Sequence, residues 1–229
     1  MTADYVIAIP IYEGVDLMDV AAPYEIFNWM AKKWNGKNVR VYLVAESQSS
    51  VKTRDDLLLT PHMTFDMVEK LDLKVDLLWI PGGDPDALVA QMGNVDYVKF
   101  IQSRGQRAQY VTSVCEGALI AANAGLLNGY EVTTHWAFLE CLRKFYPSVK
   151  LCEGYRRYVH DGNRVTGGGI SSGLDEALYL VKMIAGETVA EEVQVVMQYF
   201  PCPPVAGKIP GSSTCVLEGK IPVSIKIEL

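Results

Sequence analysis

The sequence predicts an α/β fold with a mostly parallel central sheet flanked by helices. Apolar runs of strand length recur along the chain and alternate with longer stretches of helical periodicity. Several of these runs end in glycine-marked turns, most clearly WIPGG at 79–83 and the GGG of 167–169.

The elements follow in order. Residues 5–12, YVIAIPIY, read as a buried first strand. A helix is expected from about Ala21, with Pro23 in its first turn and Ile26, Phe27 and Met30 at helical spacing. Residues 39–46 form the second strand, and 51–65 a strand pair or excursion ending near Phe65. Residues 75–80, VDLLWI, form a strand before Pro81-Gly82-Gly83, with helices near 86–92 and 95–105. A further strand, 109–114, runs straight into Cys115, and a helix covers about 117–127. Residues 131–135 are strand-like and 137–145 helical; Asp161-Gly162-Asn163 reads as a hairpin turn. Two helices follow, roughly 173–185 and 188–199, the second with Thr188 and Glu191 as a capping box. The expected organisation is one domain over 1–200 and a Pro/Gly-rich arm over 201–229 that ends in an edge strand or hairpin.

Composition narrows the function. The chain has 229 residues, 49% apolar and 21% charged, the mix of an ordinary globular protein. Its formal net charge is -6 and its basic residues are scattered, which argues against a nucleic-acid partner. No basic region opens the chain, Pro10 breaks the first apolar run, and no segment approaches the roughly 20 apolar residues of a membrane span. A soluble, cytoplasmic protein is expected. The five cysteines, Cys115, Cys141, Cys152, Cys202 and Cys215, are irregularly spaced and contain no Cys-x-x-Cys pair. In a reducing compartment all five are expected as free thiols.

One cysteine stands apart. In Ser113-Val114-Cys115-Glu116-Gly117, small neighbours flank a cysteine between a strand and a helix, the pattern of a nucleophile elbow. Amides and the dipole at the helix start favour the thiolate and are expected to lower its pKa. The competing reading is a small buried hydrophobe. Gly82 and Gly83 end another strand and suit an anion pocket, or simply a strand-to-helix turn. Asp19, with Asp16 nearby, is either an acid/base beside the thiol or a helix cap. His135 with Trp136 supports the site or belongs to the core. No His-x-x-x-His or carboxylate cluster points to a metal, and the GGG run lacks the phosphate-binding lysine and the dinucleotide fingerprint.

The segments LMDVAAPYEIF, WIPGG, YVTSVCEGALIAANAGLLNG, TTHWAFLE, DGNRVTGGGISSGLDEAL and PCPP resemble the ThiJ/PfpI superfamily, and within it the isocyanide hydratases. The resemblance runs from about residue 5 to 205. It implies a flavodoxin-like sandwich, akin to class I glutamine amidotransferases, a homodimer, no cofactor and no metal. It maps the nucleophile onto Cys115 and the acid onto Asp19, with Gly82 and Gly83 completing the anion pocket, where Glu116 is also expected as a wall. The implied reaction is hydration of an isocyanide to an N-substituted formamide. Alternatives are a glyoxalase or deglycase on 2-oxoaldehydes, or a cysteine-based oxidant sensor. Glu116 departs from the pattern, because the hydratases carry a small hydroxyl residue after the cysteine. A carboxylate there opposes thiolate formation unless it points away along the helix surface.

Overall fold

The structure is a computed structural model and describes residues 4–222. In chain order the first half comprises β1 (Tyr5–Pro10), α1 (Leu17–Lys33), β2 (Val39–Ala45), β3 (Val51–Lys52), β4 (Leu58–Leu59), β5 (Met63–Thr64), α2 (Phe65–Lys70) and β6 (Leu77–Ile80). Then come α3 (Pro85–Gly93), α4 (Val95–Arg107), β7 (Tyr110–Ser113), α5 (Gly117–Asn123), β8 (Glu131–Val132) and a 3-10 turn at Trp136–Phe138. The last elements are α6 (Leu139–Phe145), β9 (Lys150–Leu151), β10 (Tyr158–Asp161), β11 (Arg164–Gly167), α7 (Ser172–Ala185) and α8 (Glu187–Val196).

Seven strands form the central sheet in the order β10-β11-β7-β6-β1-β2-β5. Every neighbouring pair is parallel except the β10–β11 hairpin, where Tyr158 faces Gly167 and Asp161 faces Arg164. Helices α1, α7 and α8 pack together as one layer, and α3, α4 and α5 as another. Burial on both faces is why β1, β6 and β11 are buried at every position, and why β1 and β6 read as continuous apolar runs rather than alternating ones. The Asp161-Gly162-Asn163 turn takes its positive φ at Gly162, as a tight hairpin requires.

Four local expectations are corrected. Helix α1 starts at Leu17, because Asp16 caps it by accepting from the Met18 amide. Pro23 therefore lies inside the helix. Its missing N–H leaves the Asp19 carbonyl without an intrahelical donor, and the Trp79 indole Nε1 donates there instead at 2.9 Å. Helix α8 is capped by Gly186 at φ 94° with no side-chain cap, so Thr188 and Glu191 do not form a capping box. The arm holds no strand up to residue 222, and residues 216–220, the start of the expected edge strand or hairpin, make a turn; the rest of that expectation, 223–229, lies outside the described residues.

The cysteines bring the fifth correction. Cys141 in α6 and Cys215 in the arm form a disulfide, leaving Cys115, Cys152 and Cys202 free. Sequence spacing cannot register a pairing between residues 74 positions apart. No described helix is long and apolar enough to cross a membrane.

Candidate active site

The sheet order reverses at β1, with β2 on one side and β6 on the other, and ligand sites of α/β sheets lie at the strands' carboxyl ends near such a reversal. Here the turns after four adjacent strands converge. Asp16 and Asp19 follow β1, Gly82 follows β6, Cys115 follows β7, and Gly168 to Ile170 follow β11.

Cys115 takes φ 55°, a left-handed conformation that costs a non-glycine residue about 1–3 kcal/mol and persists only where its surroundings hold it. Two backbone bonds do so. The Cys115 amide donates to the Gly168 carbonyl at 2.8 Å, and the Thr134 hydroxyl donates to the Cys115 carbonyl at 2.7 Å. Gly117 is required beside it, because a Cβ there would run into the Ile80 carbonyl. The small-x-Cys-x-Gly pattern thus has a packing cause as well as a conformational one.

Around the sulfur the groups are acidic. One donor atom each from Asp19, Cys115 and Glu116 lies within 4.8 Å of the other two, and all three residues are buried. Asp19 Oδ2 accepts from the Gly82 amide at 2.9 Å, while Oδ1 has no hydrogen-bond partner among the described residues. Burial, then the charges of Asp16 and Glu116, push the Asp19 carboxyl well above the usual carboxylate range. Glu116 is only 6% exposed and turns inward, against the expectation that it lies along the helix surface. A Cβ on Gly82 would clash with its Oε2, so glycine at 82 makes room for it. Burial raises the Glu116 pKa, while a hydrogen bond with the Cys115 thiol pulls it back down.

The thiol itself is 1% exposed. Burial, the charges of Asp19 and Glu116, and donation to the Glu116 carboxyl push its pKa well up; only the Ile170 amide, donating to Sγ, pulls it down. This corrects the expected lowering. Helix α5 spans only seven residues, and its dipole is outweighed by two carboxyls in a dry site. Burial therefore favours the neutral thiol beside the Glu116 carboxyl.

The other sequence candidates sit at the margin. The Gly82 amide is committed to Asp19, and Gly83 pairs with Val15 in an isolated bridge, so these glycines draw two turns together. His135 caps the Trp136–Phe138 turn, accepting from the Ala137 amide at 3.3 Å. Its ring packs on Gly169, and burial, then Arg54, lowers its pKa. His135 and Trp136 line a cavity of about 340 Å³ with Tyr155, Gly169, Ile170 and Ile209.

Sequence reading missed three contributors. The GGGI turn, read as plain, supplies the Ile170 amide that faces the sulfur. Arg54, from the loop between β3 and β4, pairs with Asp16 at 2.9 Å and draws Asp19 and Glu116 toward their charged forms. Glu176 of α7 is 0% exposed, and neither carboxyl oxygen has a partner among the described residues. Only the tertiary placement of these loops and of helix α7 at one end of the sheet would have flagged them.

Asp19, Cys115 and Glu116 are also the group among the described residues whose spacing admits a metal ion. Linear ligand patterns do not detect donors brought from separate elements.

The model of the DJ-1/PfpI family matches residues 6–183. The chain belongs to the DJ-1/PfpI family. Among its DJ-1/PfpI relatives, an isonitrile hydratase of Pseudomonas putida is 34% identical over 194 residues, covering 85% of this chain and 78% of that protein. The crystal structure of a ThiJ/PfpI family protein from Pseudomonas syringae superposes with a TM-score of 0.78 at 33% identity, covering 89% of this chain and 78% of that one. DJ-1beta of Drosophila melanogaster shares the fold, with a TM-score of 0.73 at 16% identity over 88% of this chain and all of that chain. A transcriptional regulator of Pseudomonas aeruginosa, GbdR, is 25% identical over 74% of this chain, which spans only 44% of that protein.

Proposed function

We propose that the protein hydrates isocyanides to N-substituted formamides, with Cys115 as nucleophile and Asp19 as the acid. The observation that carries this reading is the convergence of a buried thiol with the buried carboxyls of Asp19 and Glu116, one atom of each within 4.8 Å of the others, with burial pushing both carboxyl pKa values up. The 34% identity to an isonitrile hydratase supports the same substrate class.

Glu116 takes the thiol proton as the sulfur attacks the terminal carbon of R–N≡C, forming the C–S bond. Asp19, held protonated by burial, delivers its proton to the carbanionic carbon and leaves a thioimidate. Asp19, now charged, activates a water that adds to that carbon. The hydroxyl proton of the adduct passes to nitrogen as the C–S bond breaks, R–NH–CHO leaves, and the sulfur is reprotonated from Glu116. The sum is R–N≡C plus water to the formamide. The Ile170 amide, donating to Sγ, stabilises the sulfur whenever it carries charge. This assigns Glu116 a base role, whereas its sequence reading was as a wall of the anion pocket. The chemistry belongs to the 1–200 unit, acting as the homodimer the resemblance implies.

The test is turnover of para-nitrophenyl isocyanide followed by absorbance. Steady formamide production that falls at least about a thousandfold in Cys115→Ser supports the reading, since losing a nucleophile costs that order of rate. A serine variant with wild-type turnover would sink the covalent scheme.

A further inference from the structure

The cavity that holds His135 and Trp136 is walled by the backbone that grips Cys115. Gly168, Thr134 and Ile170 all line it, and each bonds directly to the cysteine's amide, carbonyl or sulfur. The C-terminal arm adds to its lining: Ile209 faces the cavity, and the Tyr155 hydroxyl, on another part of the lining, reaches the Pro210 carbonyl at 3.5 Å.

The arm is otherwise poorly held there. Residues 201–211 are exposed throughout, with Pro201, Pro203, Pro204 and Pro210 limiting their backbone freedom. The attachment lies just beyond. Cys215 is bonded to Cys141, Leu217 is 1% exposed against the core, Glu218 pairs with Lys144, and Lys220 pairs with Asp86 at 2.7 Å. Surface ion pairs contribute about 0–1 kcal/mol each, so the disulfide and the buried Leu217 do most of the holding. Cys141 lies in α6, which directly follows the turn carrying Trp136. The disulfide therefore fastens the arm to the helix that directly follows one wall of the cavity.

We propose that the arm is a roof over the approach to Cys115, that Ile209 sets the bulk of the group admitted, and that the Cys141–Cys215 disulfide latches the roof. The inference rests on Cys115 as the reactive group but not on hydration. Unlatching is a balanced exchange: a dithiol supplies two electrons and two protons, the S–S bond becomes two thiols, and the dithiol becomes a disulfide. A latched protein takes slender electrophiles; an unlatched one also takes bulky ones.

The experiment compares the rates at which iodoacetamide and N-(1-pyrenyl)maleimide modify Cys115, resolved from Cys152 and Cys202 by peptide mass spectrometry. It uses full-length wild type, Cys215→Ser and Ile209→Ala. The ratio of bulky to small rates is expected to rise about tenfold in both variants, as local opening of a held segment produces. An unchanged ratio in Cys215→Ser overturns the latch, and one unchanged in Ile209→Ala overturns the roof. Equal acceleration of both reagents overturns both, because it reports general loosening. If Cys215→Ser fails to fold, the same ratio is read on wild type before and after treatment with a phosphine reductant. Because the readout is access to sulfur, a protein without hydratase turnover still decides the question.

Discussion

Cys115 and the Cys141–Cys215 pair occupy two equally dry regions, yet their environments differ in kind. All three cysteines are buried. Cys141 lies among apolar neighbours, with Leu142 and Leu217 both buried beside the pair, and it is covalently closed. Cys115 faces two carboxyls and an amide, in a backbone conformation that needs support. Burial alone therefore does not separate a structural cysteine from a chemical one; the partners do. At the candidate site the polar groups are set by backbone from several strand ends, those of β1, β6, β7 and β11. The arm instead depends on one covalent bond and one buried side chain.

The contrast can be broken at each side. The largest expected effect belongs to the acid. Asp19→Asn keeps an acceptor for the Gly82 amide, so folding should persist while turnover falls about 10²–10⁴-fold, the range for a lost general acid–base. Steady-state kinetics checks this, and a wild-type rate would remove Asp19 from the mechanism. Next is the latch as a stability element. The disulfide closes a 74-residue separation, and Cys215→Ser should lower unfolding free energy by about 2–4 kcal/mol in urea titration. A loss near zero would mean that Leu217 alone holds the arm.

The smallest effect concerns Glu176, a buried acid that the mechanism does not use. Burial, then the charge of Asp19, pushes its pKa well above the usual range. Its folded pKa exceeds its unfolded value, so the folded state binds the extra proton. Its contribution to stability is present below the unfolded pKa of about 4.3 and is lost as pH rises through the folded value. Glu176→Met removes an unpartnered polar group at similar volume. It should raise stability by roughly 1–3 kcal/mol at pH 8 and by less at pH 5. Denaturation at both pH values measures this, and an equal gain at both would show that proton binding is not the cause.

Much of the fold was legible because its strands carry an unambiguous pattern. A run such as LLWI, buried at all four positions, has few alternatives to a central parallel strand. The Asp161-Gly162-Asn163 hairpin was legible from turn chemistry. The start of α1 was not, because Pro23 signals a first turn unless something else accepts the carbonyl it frees, and that partner, Trp79, lies 60 residues away. At the site, Cys115 stood out through its small neighbours and Asp19 through the resemblance. The direction of the thiol's pKa was misread for a related reason. A helix start is visible locally, whereas the inward turn of Glu116 depends on the room left by Gly82 in another loop.

Local sequence alone determined where most strands and helices form and which cysteine sits between a strand and a helix, since both follow from periodicity and residue size over short windows. Tertiary structure decided the rest: that the GGGI turn presents an amide to the sulfur, that Glu116 faces Asp19, and that Cys215 reaches Cys141. Each is a meeting of residues distant in the chain. Hydrogen bonds, desolvation and charge act through distance in space, which a linear pattern does not carry.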